Sequence, residues 1–197
     1  MKCGLKNPDL EKCHQIQDKT FHKKHLVWLK TKKSDEESQH KGSSSFFNES
    51  EIKRIKTTLD FLNKSYEKIE KKPSVGVITF YGSQLSELTS LEKKGFWRLP
   101  REDRNYPHLD IRFGTVDRFQ GQEKDIIIVS LVRNNKKHEV GFAKKPHRIN
   151  VAFSRARNLL IIVGNPDNFR FGNNEKSAQQ YDEIFNIAKK FGSVKGE

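Results

Sequence analysis

At 197 residues the chain is long enough for one domain with a substantial core, and its 38 Lys and Arg residues outnumber 25 Asp and Glu residues, which gives a formal net charge of +13. This surplus favours an anionic partner such as nucleic acid, although a lysine-rich protein without such a partner can have the same composition. Two cysteines exclude a disulfide-rich scaffold. No apolar run approaches the length of a membrane span, and the first residues are polar. We therefore expect a cytoplasmic or nuclear protein that is neither secreted nor membrane-bound.

The N-terminal residues 1–24 are polar, lysine-rich and without periodicity, so they predict a poorly ordered segment or linker before a domain at 25–197. Five side chains in and near this segment could be imagined as zinc ligands: Cys3, Cys13, His14, His22 and His25. Because their spacing lacks a C-x-x-C pair, no metal site is predicted.

The first half of the predicted domain alternates strands and helices. His25–Lys30 and Val75–Phe80 are strand candidates. Asn48 and Glu51 form a capping box at the start of a helix. The apolar face of this helix is Ile52, Ile55, Leu59 and Leu62. A second helix follows the second strand, with its apolar side at Leu85, Leu88 and Leu91.

The second half contains two short runs rich in β-branched residues, Asp125–Val132 and Leu159–Asn165, after a strand candidate at Ile111–Val116. Runs of this kind are typical of strands buried on both faces of a parallel sheet. Helices are predicted at His147–Arg157 and at Ser177–Phe191, the latter capped by Ser177 and Gln180. The alternation predicts an α/β domain with a largely parallel sheet and helices on both faces, in which ligands gather at the carboxyl ends of the strands.

Two segments offer groups for a polyanion. Residues 93–110 interleave aromatic with basic side chains and could stack bases and hold phosphates, or could pack their aromatics inward. The side chains concerned are Phe96, Trp97, Tyr106, Arg98, Arg101 and Arg104. On a helix over 147–157, Arg148 and Arg155 would share one flank, and Asn150 and Arg157 the opposite one. Such arginines can bind phosphate, or can form a solvated face paired with carboxylates.

The segment before the first apolar run contains Gly121, which permits a tight turn or a close ligand, flanked by Gln120 and Glu123. The alternative is an ordinary loop. The chain has no G-x-x-x-x-G-K-[ST] segment, no acidic pair of the Walker B type and no catalytic triad spacing. A self-sufficient hydrolase is therefore not visible in this sequence.

Four segments together resemble the C-terminal, second RecA-like domain of superfamily 1 helicases of the Upf1/Dna2-like branch, over roughly residues 25–168. The longest match is TVDRFQGQEKDIIIVSLVRNN (115–135), which is similar to motif V. RINVAFSRARNLLIIVGN (148–165) is similar to motif VI. VGVITFYGSQ (75–84) and SSSFFNESEI (43–52) resemble a strand-and-turn motif and the start of the first helix. The resemblance implies a RecA-like fold of the P-loop NTPase type, without its own P-loop.

The resemblance also assigns roles by position. Arg155 corresponds to the arginine finger, whereas Gln120, Gly121 and Glu123 fall where motif V lines the nucleotide cleft. The resemblance also places Thr79, Tyr81 and Thr115 near the path of the single strand. ATP and Mg²⁺ would be held mainly by a first RecA-like domain, on the same helicase chain or a separate one, and single-stranded DNA or RNA would be the other partner.

The sequence departs from the pattern in two places. The proline of the family's T-P-Y turn is Phe80, and the glutamine-tyrosine-arginine motif that opens the second domain is not seen. The hypothesis is therefore one motor domain of an ATP-dependent helicase, inactive alone. The alternative is a non-catalytic nucleic-acid-binding or interaction module that retains the helicase fold.

Overall fold

The fold is built on a six-stranded sheet in a computed structural model, which describes residues 14–93 and 106–196, apart from the side chains of 91–93. The sheet strands are β1 (Leu26–Leu29), β4 (Ser74–Thr79), β5 (Asp110–Thr115), β6 (Lys124–Ser130), β7 (Ala156–Val163) and β8 (Ser193–Lys195), and a separate hairpin pairs β2 (Ser38–Gln39) with β3 (Phe46–Phe47). The sheet order is β5-β4-β6-β7-β1-β8, with every neighbouring pair parallel. The predicted parallel sheet is confirmed.

Helices cover both faces of this sheet. They are α1 (Glu49–Ile69), α2 (Gly82–Lys93), α3 (Pro146–Phe153), α4 (Pro166–Arg170) and α5 (Glu175–Phe191), with 3-10 turns at Val116–Phe119 and Gly141–Lys144. Alternate residues of β6 serve the two faces: Ile126 and Ile128 pack in the cluster under α1, whereas Ile127 and Val129 pack in the cluster under α3 and α5. Burial on both faces explains the unbroken apolar character of the central strands. The predicted α/β architecture is confirmed.

The predicted capping box at α1 is half right. Asn48 Oδ1 accepts from the backbone N–H of Glu51 at 3.1 Å, as predicted. The reciprocal bond is absent, because Gln84 Oε1 accepts the Asn48 N–H at 2.8 Å and the Glu51 carboxyl points into the protein. At α5, Asn174 is the N-cap and accepts from the Ser177 N–H at 3.1 Å, so the predicted Ser177 and Gln180 cap is wrong.

The predicted helix over His147–Arg157 is too long at its C-terminal end. The helix α3 ends at Phe153, and β7 begins three residues later, where Ala156 pairs with Lys124 of β6. Extended pairing with a buried neighbouring strand outweighs helix propensity at this point. Arg148 therefore lies on a helix and Arg155 in the connection to a strand, and the predicted shared flank does not exist.

A short crossover, residues 116–123, joins the carboxyl end of β5 to the amino end of β6. Phe119 in its 3-10 turn is fully buried. Its ring packs directly on the backbone of two glycines. A Cβ would lie 2.7 Å from the ring at Gly76 and 2.8 Å from it at Gly114. The crossover is thus packed directly on the backbones of β4 and β5.

Part of the N-terminal segment packs on the domain. Ile16 and Phe21 are buried in the cluster under α1, and the Tyr66 hydroxyl donates to the backbone oxygen of His14 at 2.9 Å. Cys3 and Cys13 lie outside the described residues, as does most of the basic aromatic stretch before residue 106. Within the described part of that stretch, Tyr106 is buried and donates to Asp60 at 2.6 Å.

Two further findings concern the part of the chain that the structure describes. It contains no cluster of three or more His, Cys, Asp or Glu side chains arranged to hold a metal ion. Its helices are too short or too polar to cross a bilayer.

Candidate functional site at the two edges of the sheet

The predicted site residues lie at opposite edges of the sheet. Thr79 is in register with Thr115 on one side and Ser130 on the other, which places all three at the carboxyl ends of β4, β5 and β6. Arg155 immediately precedes β7 and Glu123 immediately precedes β6, so both lie at the amino edge. The predicted nucleotide residues therefore lie at the edge opposite to the carboxyl ends of the strands, where ligand groups were expected.

At the amino edge the motif V loop is bonded to Arg155. The backbone N–H of Lys124 donates to the Arg155 carbonyl at 3.0 Å. Gln120, Gly121 and Glu123 are exposed in the loop that leads into this strand. Gly121 has a φ of +76°, which other residues rarely adopt, and no protein atom lies within 4 Å of where its Cβ would be. Open space above this turn leaves the backbone accessible to a ligand.

The three arginines of the 148–157 segment differ in their partners. Arg148 binds Asp117 through Nη2 at 2.8 Å and Nε at 3.2 Å. Arg157 approaches Glu123 at 3.5 Å and Asp125 at 3.7 Å. Arg155 instead donates through Nη2 to the Ser154 hydroxyl at 2.9 Å, and it makes no ion pair with a carboxylate of the described residues. Arg155 alone of the three keeps its charge unneutralised by a side chain.

The Nε of Arg155 is buried and has no hydrogen-bond partner in the described structure. An unpaired buried donor is unfavourable by about 1–3 kcal/mol unless a water or a ligand completes it, and the Nε of Arg54 on α1 is in the same state. A guanidinium in this state is suited to an anionic oxygen, since it presents several donors in a fixed plane. The donor set of this edge therefore fits a phosphate.

Glu123 is held only loosely by the protein. Its side chain and that of Arg157 are 57% and 55% exposed, and exposed ion pairs stabilise by about 1 kcal/mol or less. Replacing the Glu123–Arg157 contact by a hydrogen bond from a ligand hydroxyl to Glu123 therefore loses little stabilisation. Glu123 can therefore accept a hydrogen bond from a bound molecule without disturbing the fold.

At the carboxyl edge two of the three predicted nucleic-acid residues are inside the protein. Thr79 is fully buried, and its hydroxyl accepts from the Tyr81 N–H at 3.4 Å. Tyr81 is 2% exposed, and its hydroxyl accepts from the Phe142 N–H at 3.1 Å. Burial raises the pKa of this hydroxyl, so it stays protonated and donates to the Val140 carbonyl at 3.5 Å. Thr115 is half-buried at the end of β5.

Sequence reasoning missed a buried carboxyl at this edge. The Glu51 carboxyl is fully buried and takes the Ser130 hydroxyl at 2.6 Å and the Val132 N–H at 2.9 Å. Desolvation raises its pKa to about 8. Val132 has a φ of +71°, a strained conformation for a β-branched residue. The carboxyl thus holds the end of β6 in an unusual path.

The residues after Val132 continue this network. Arg133 donates to Glu37 at 2.8 Å and lies 4.1 Å from the centre of the Phe46 ring. The Asn134 amide donates to the carbonyls of Lys32 and Asp35, both at 2.9 Å. The sequence signal for this network is the Asn-x-x-Glu pattern at residues 48–51, which by itself predicts only a helix cap.

The parallel sheet with helices on both faces is that of a RecA-like α/β domain. Residues 2–167 match the AAA_12 family, described as an AAA domain. The chain belongs to this family, the C-terminal region of superfamily 1 helicases, and the predicted resemblance is confirmed.

Three helicases similar to this chain are all considerably longer than the region that it matches. DNA polymerase alpha-associated DNA helicase A of Saccharomyces cerevisiae is 39% identical over 71% of this chain and 19% of its own length. Helicase sen1 of Schizosaccharomyces pombe is 37% identical over 64% of this chain and 7% of its own length. The Regulator of nonsense transcripts 1 homolog of Drosophila melanogaster is 39% identical over 62% and 10%, respectively. The matched region therefore spans a fifth or less of each relative.

Proposed function

We propose that this chain is the C-terminal motor domain of an ATP-dependent superfamily 1 DNA or RNA helicase. In this proposal it supplies Arg155 and the loop of Gln120, Gly121 and Glu123 to an ATP site shared with a first RecA-like domain. The observation that carries the proposal is the state of Arg155: a partly buried guanidinium with a partnerless Nε, beside two arginines that are paired with carboxylates. The names of the relatives support the helicase class.

Each residue of the amino edge has a role in this proposal. ATP with Mg²⁺, held mainly by the first RecA-like domain, supplies the phosphoryl group that is transferred to water. Arg155 crosses the cleft when the two domains close and stabilises negative charge on the γ-phosphate oxygens. Glu123 accepts a hydrogen bond from the ribose, and the open turn at Gly121, next to Gln120, lets the nucleotide approach the backbone.

The carboxyl edge carries the single-strand track in this proposal. Thr115, half-buried at the end of β5, contacts the strand directly. Thr79 and Tyr81 shape the edge from inside, because their side chains are buried. Closure of the cleft on ATP moves this edge relative to the first domain, which steps the pair along single-stranded DNA or RNA.

The assignment of Arg155 is tested by reconstitution with the N-terminal RecA-like domain of the same helicase, in one chain or as two. We expect Arg155→Ala to lower the single-strand-stimulated kcat for ATP by about a thousandfold or more, with a smaller change in KM. Arg155→Lys should recover little, because an ammonium lacks the planar donor geometry. Arg112→Ala, which removes an exposed arginine of β5, is the matched control and should retain kcat.

An unchanged kcat in Arg155→Ala would show that Arg155 is not the finger. A reconstituted pair that binds single strands but hydrolyses no ATP would instead support a non-catalytic binding module. The isolated chain should show no ATPase activity in either case, since its sequence contains no Walker A segment.

A further inference from the structure

The loop between β6 and α3 exposes an aromatic ring that the proposed function does not use. Phe142 is 51% exposed on the 3-10 turn at Gly141–Lys144. Large apolar side chains with this exposure are few in the described structure: Phe142, Phe171, Ile187 and Phe191. Of the four, Phe142 packs against Tyr81 at the carboxyl edge, with ring centres 5.4 Å apart.

The backbone around Phe142 is fixed from below by two buried tyrosines. The Phe142 N–H donates to the Tyr81 hydroxyl at 3.1 Å, and the Tyr181 hydroxyl donates to the Ala143 carbonyl at 3.1 Å. The preceding Gly141 has a φ of +59°, and a Cβ there would lie 2.1 Å from the Tyr81 oxygen. The exposed ring is therefore carried by a rigid support, and binding to it loses little conformational entropy.

The segment that carries this ring is strongly basic. Residues 136–148 contain five basic side chains and one acidic side chain, Glu139, a net charge of +4. The basic residues are Lys136, Lys137, Lys144, Lys145 and Arg148, and the four lysines are exposed. Glu139 lies 3.2 Å from Arg133, so its charge is already engaged. The excess charge at the surface is positive.

Arg148 connects the ring to the end of β5. Its guanidinium carbon lies 5.7 Å from the centre of the Phe142 ring, and its Nη2 is bonded to Asp117, two residues after Thr115. The Tyr81 ring lies 5.4 Å from Phe142, at an angle of 40°. Phe142 therefore belongs to the same surface as the proposed single-strand track.

We infer that Phe142 is a stacking platform for one base of a single strand, with the neighbouring lysines contacting the flanking phosphates. An exposed aromatic ring within a basic surface is how proteins bind single strands without sequence preference. A protein partner fits less well, because lysine is depleted at protein–protein interfaces. The inference rests on the proposed function only for the identity of the ligand, a single strand.

The test is a titration of the 197-residue chain with fluorescein-labelled oligothymidine and, separately, oligouridine, at one low salt concentration. We expect Phe142→Ala to weaken binding about fivefold to a hundredfold, the loss of one stacked base. Phe142→Trp keeps an aromatic face and should bind within about threefold of the unchanged chain. Phe191→Ala is the matched control, because Phe191 is 66% exposed beside Lys190 on α5 and should not matter.

Two further readouts separate stacking from charge. A 2-aminopurine base in the oligonucleotide should be quenched by the unchanged chain and by Phe142→Trp, but not by Phe142→Ala. Phe142→Ala should leave the slope of log affinity against log salt unchanged, whereas Lys144→Ala should reduce it by roughly one. The thermal midpoint of each variant confirms that it is folded.

The inference is overturned if Phe142→Ala binds as tightly as the unchanged chain, or if Phe191→Ala loses as much. It is also overturned if the chain binds neither oligonucleotide. None of these results touches the role of Arg155, which the ATPase measurement decides independently. The oligothymidine and oligouridine series show whether DNA or RNA is the preferred strand.

Discussion

The two edges of the sheet are built in opposite ways. At the amino edge the Glu123–Arg157 pair is more than half exposed, the turn at Gly121 has open space around it, and Arg155 keeps a partnerless Nε. At the carboxyl edge Glu51 and Ser130 are fully buried, and both are hydrogen-bonded to other parts of the protein.

This difference separates groups that await a partner from groups that hold the fold. Polar groups whose hydrogen bonds are complete within the protein stabilise one arrangement and have little to offer a ligand. Those of the amino edge are incomplete or weakly paired, which is compatible with the proposed nucleotide site. At the carboxyl edge the Phe142 loop and its lysines extend to solvent.

The largest predicted effect comes from removing the buried carboxyl. Glu51→Ala leaves the Val132 N–H and the Ser130 hydroxyl without their acceptor and opens a cavity, so we expect a loss of about 3–5 kcal/mol in the free energy of unfolding. Glu51→Gln keeps an acceptor and the volume and should lose much less. Urea denaturation measures both, and equal losses in the two variants would contradict the role assigned to the carboxyl.

A smaller difference should separate two glycines with similar backbone angles. Gly141→Ala places a Cβ within 2.1 Å of the Tyr81 oxygen, so we expect about 2–4 kcal/mol of destabilisation, from strain in the left-handed region together with overpacking. Gly121→Ala meets only the backbone strain, about 1 kcal/mol, because the space around it is empty. Thermal unfolding measures the loss of stability in each variant. A larger loss in Gly121→Ala than in Gly141→Ala would contradict the difference drawn between the two edges.

A further predicted effect is a dependence of stability on pH. Burial raises the pKa of Glu51 from 4.5 to about 8, so between these values the folded protein holds a proton that the unfolded chain releases. The contribution of Glu51 to stability is therefore greatest at low pH and falls as the pH rises towards 8, by at most about 1.4 kcal/mol per unit. Stability of Glu51→Gln relative to the unchanged chain should rise across this window, and parallel pH profiles would contradict the shift.

The sequence predicted the fold well because the strands are apolar on both faces and the helices have clear faces. Ile126–Val129 and Leu159–Val163 could hardly be anything but central parallel strands once their length and branching are considered. The end of α3 was misplaced because residues 154–157 have no strong local preference. Their path is decided by pairing with β6, which is a long-range contact.

The site was predicted only in part, for the same reason. The resemblance selected Arg155, but the contrast with Arg148 and Arg157 depends on which carboxylates fold beside each arginine. Glu51 was identified as a capping residue, since no local pattern reveals that its side chain meets Ser130, 79 positions away. Phe142 carried no signal at all, because exposure is a property of the folded surface.

One last consequence follows from the buried ring of Phe119. The crossover that it anchors, residues 116–123, joins Thr115 at the carboxyl edge of the sheet to the amino edge, where it ends at Glu123. Because the ring is wedged against Gly76 and Gly114, this strut cannot slide over the sheet without losing close packing. We therefore expect a displacement at the Glu123 end to move the crossover together with β4 and β5, and not the loop alone.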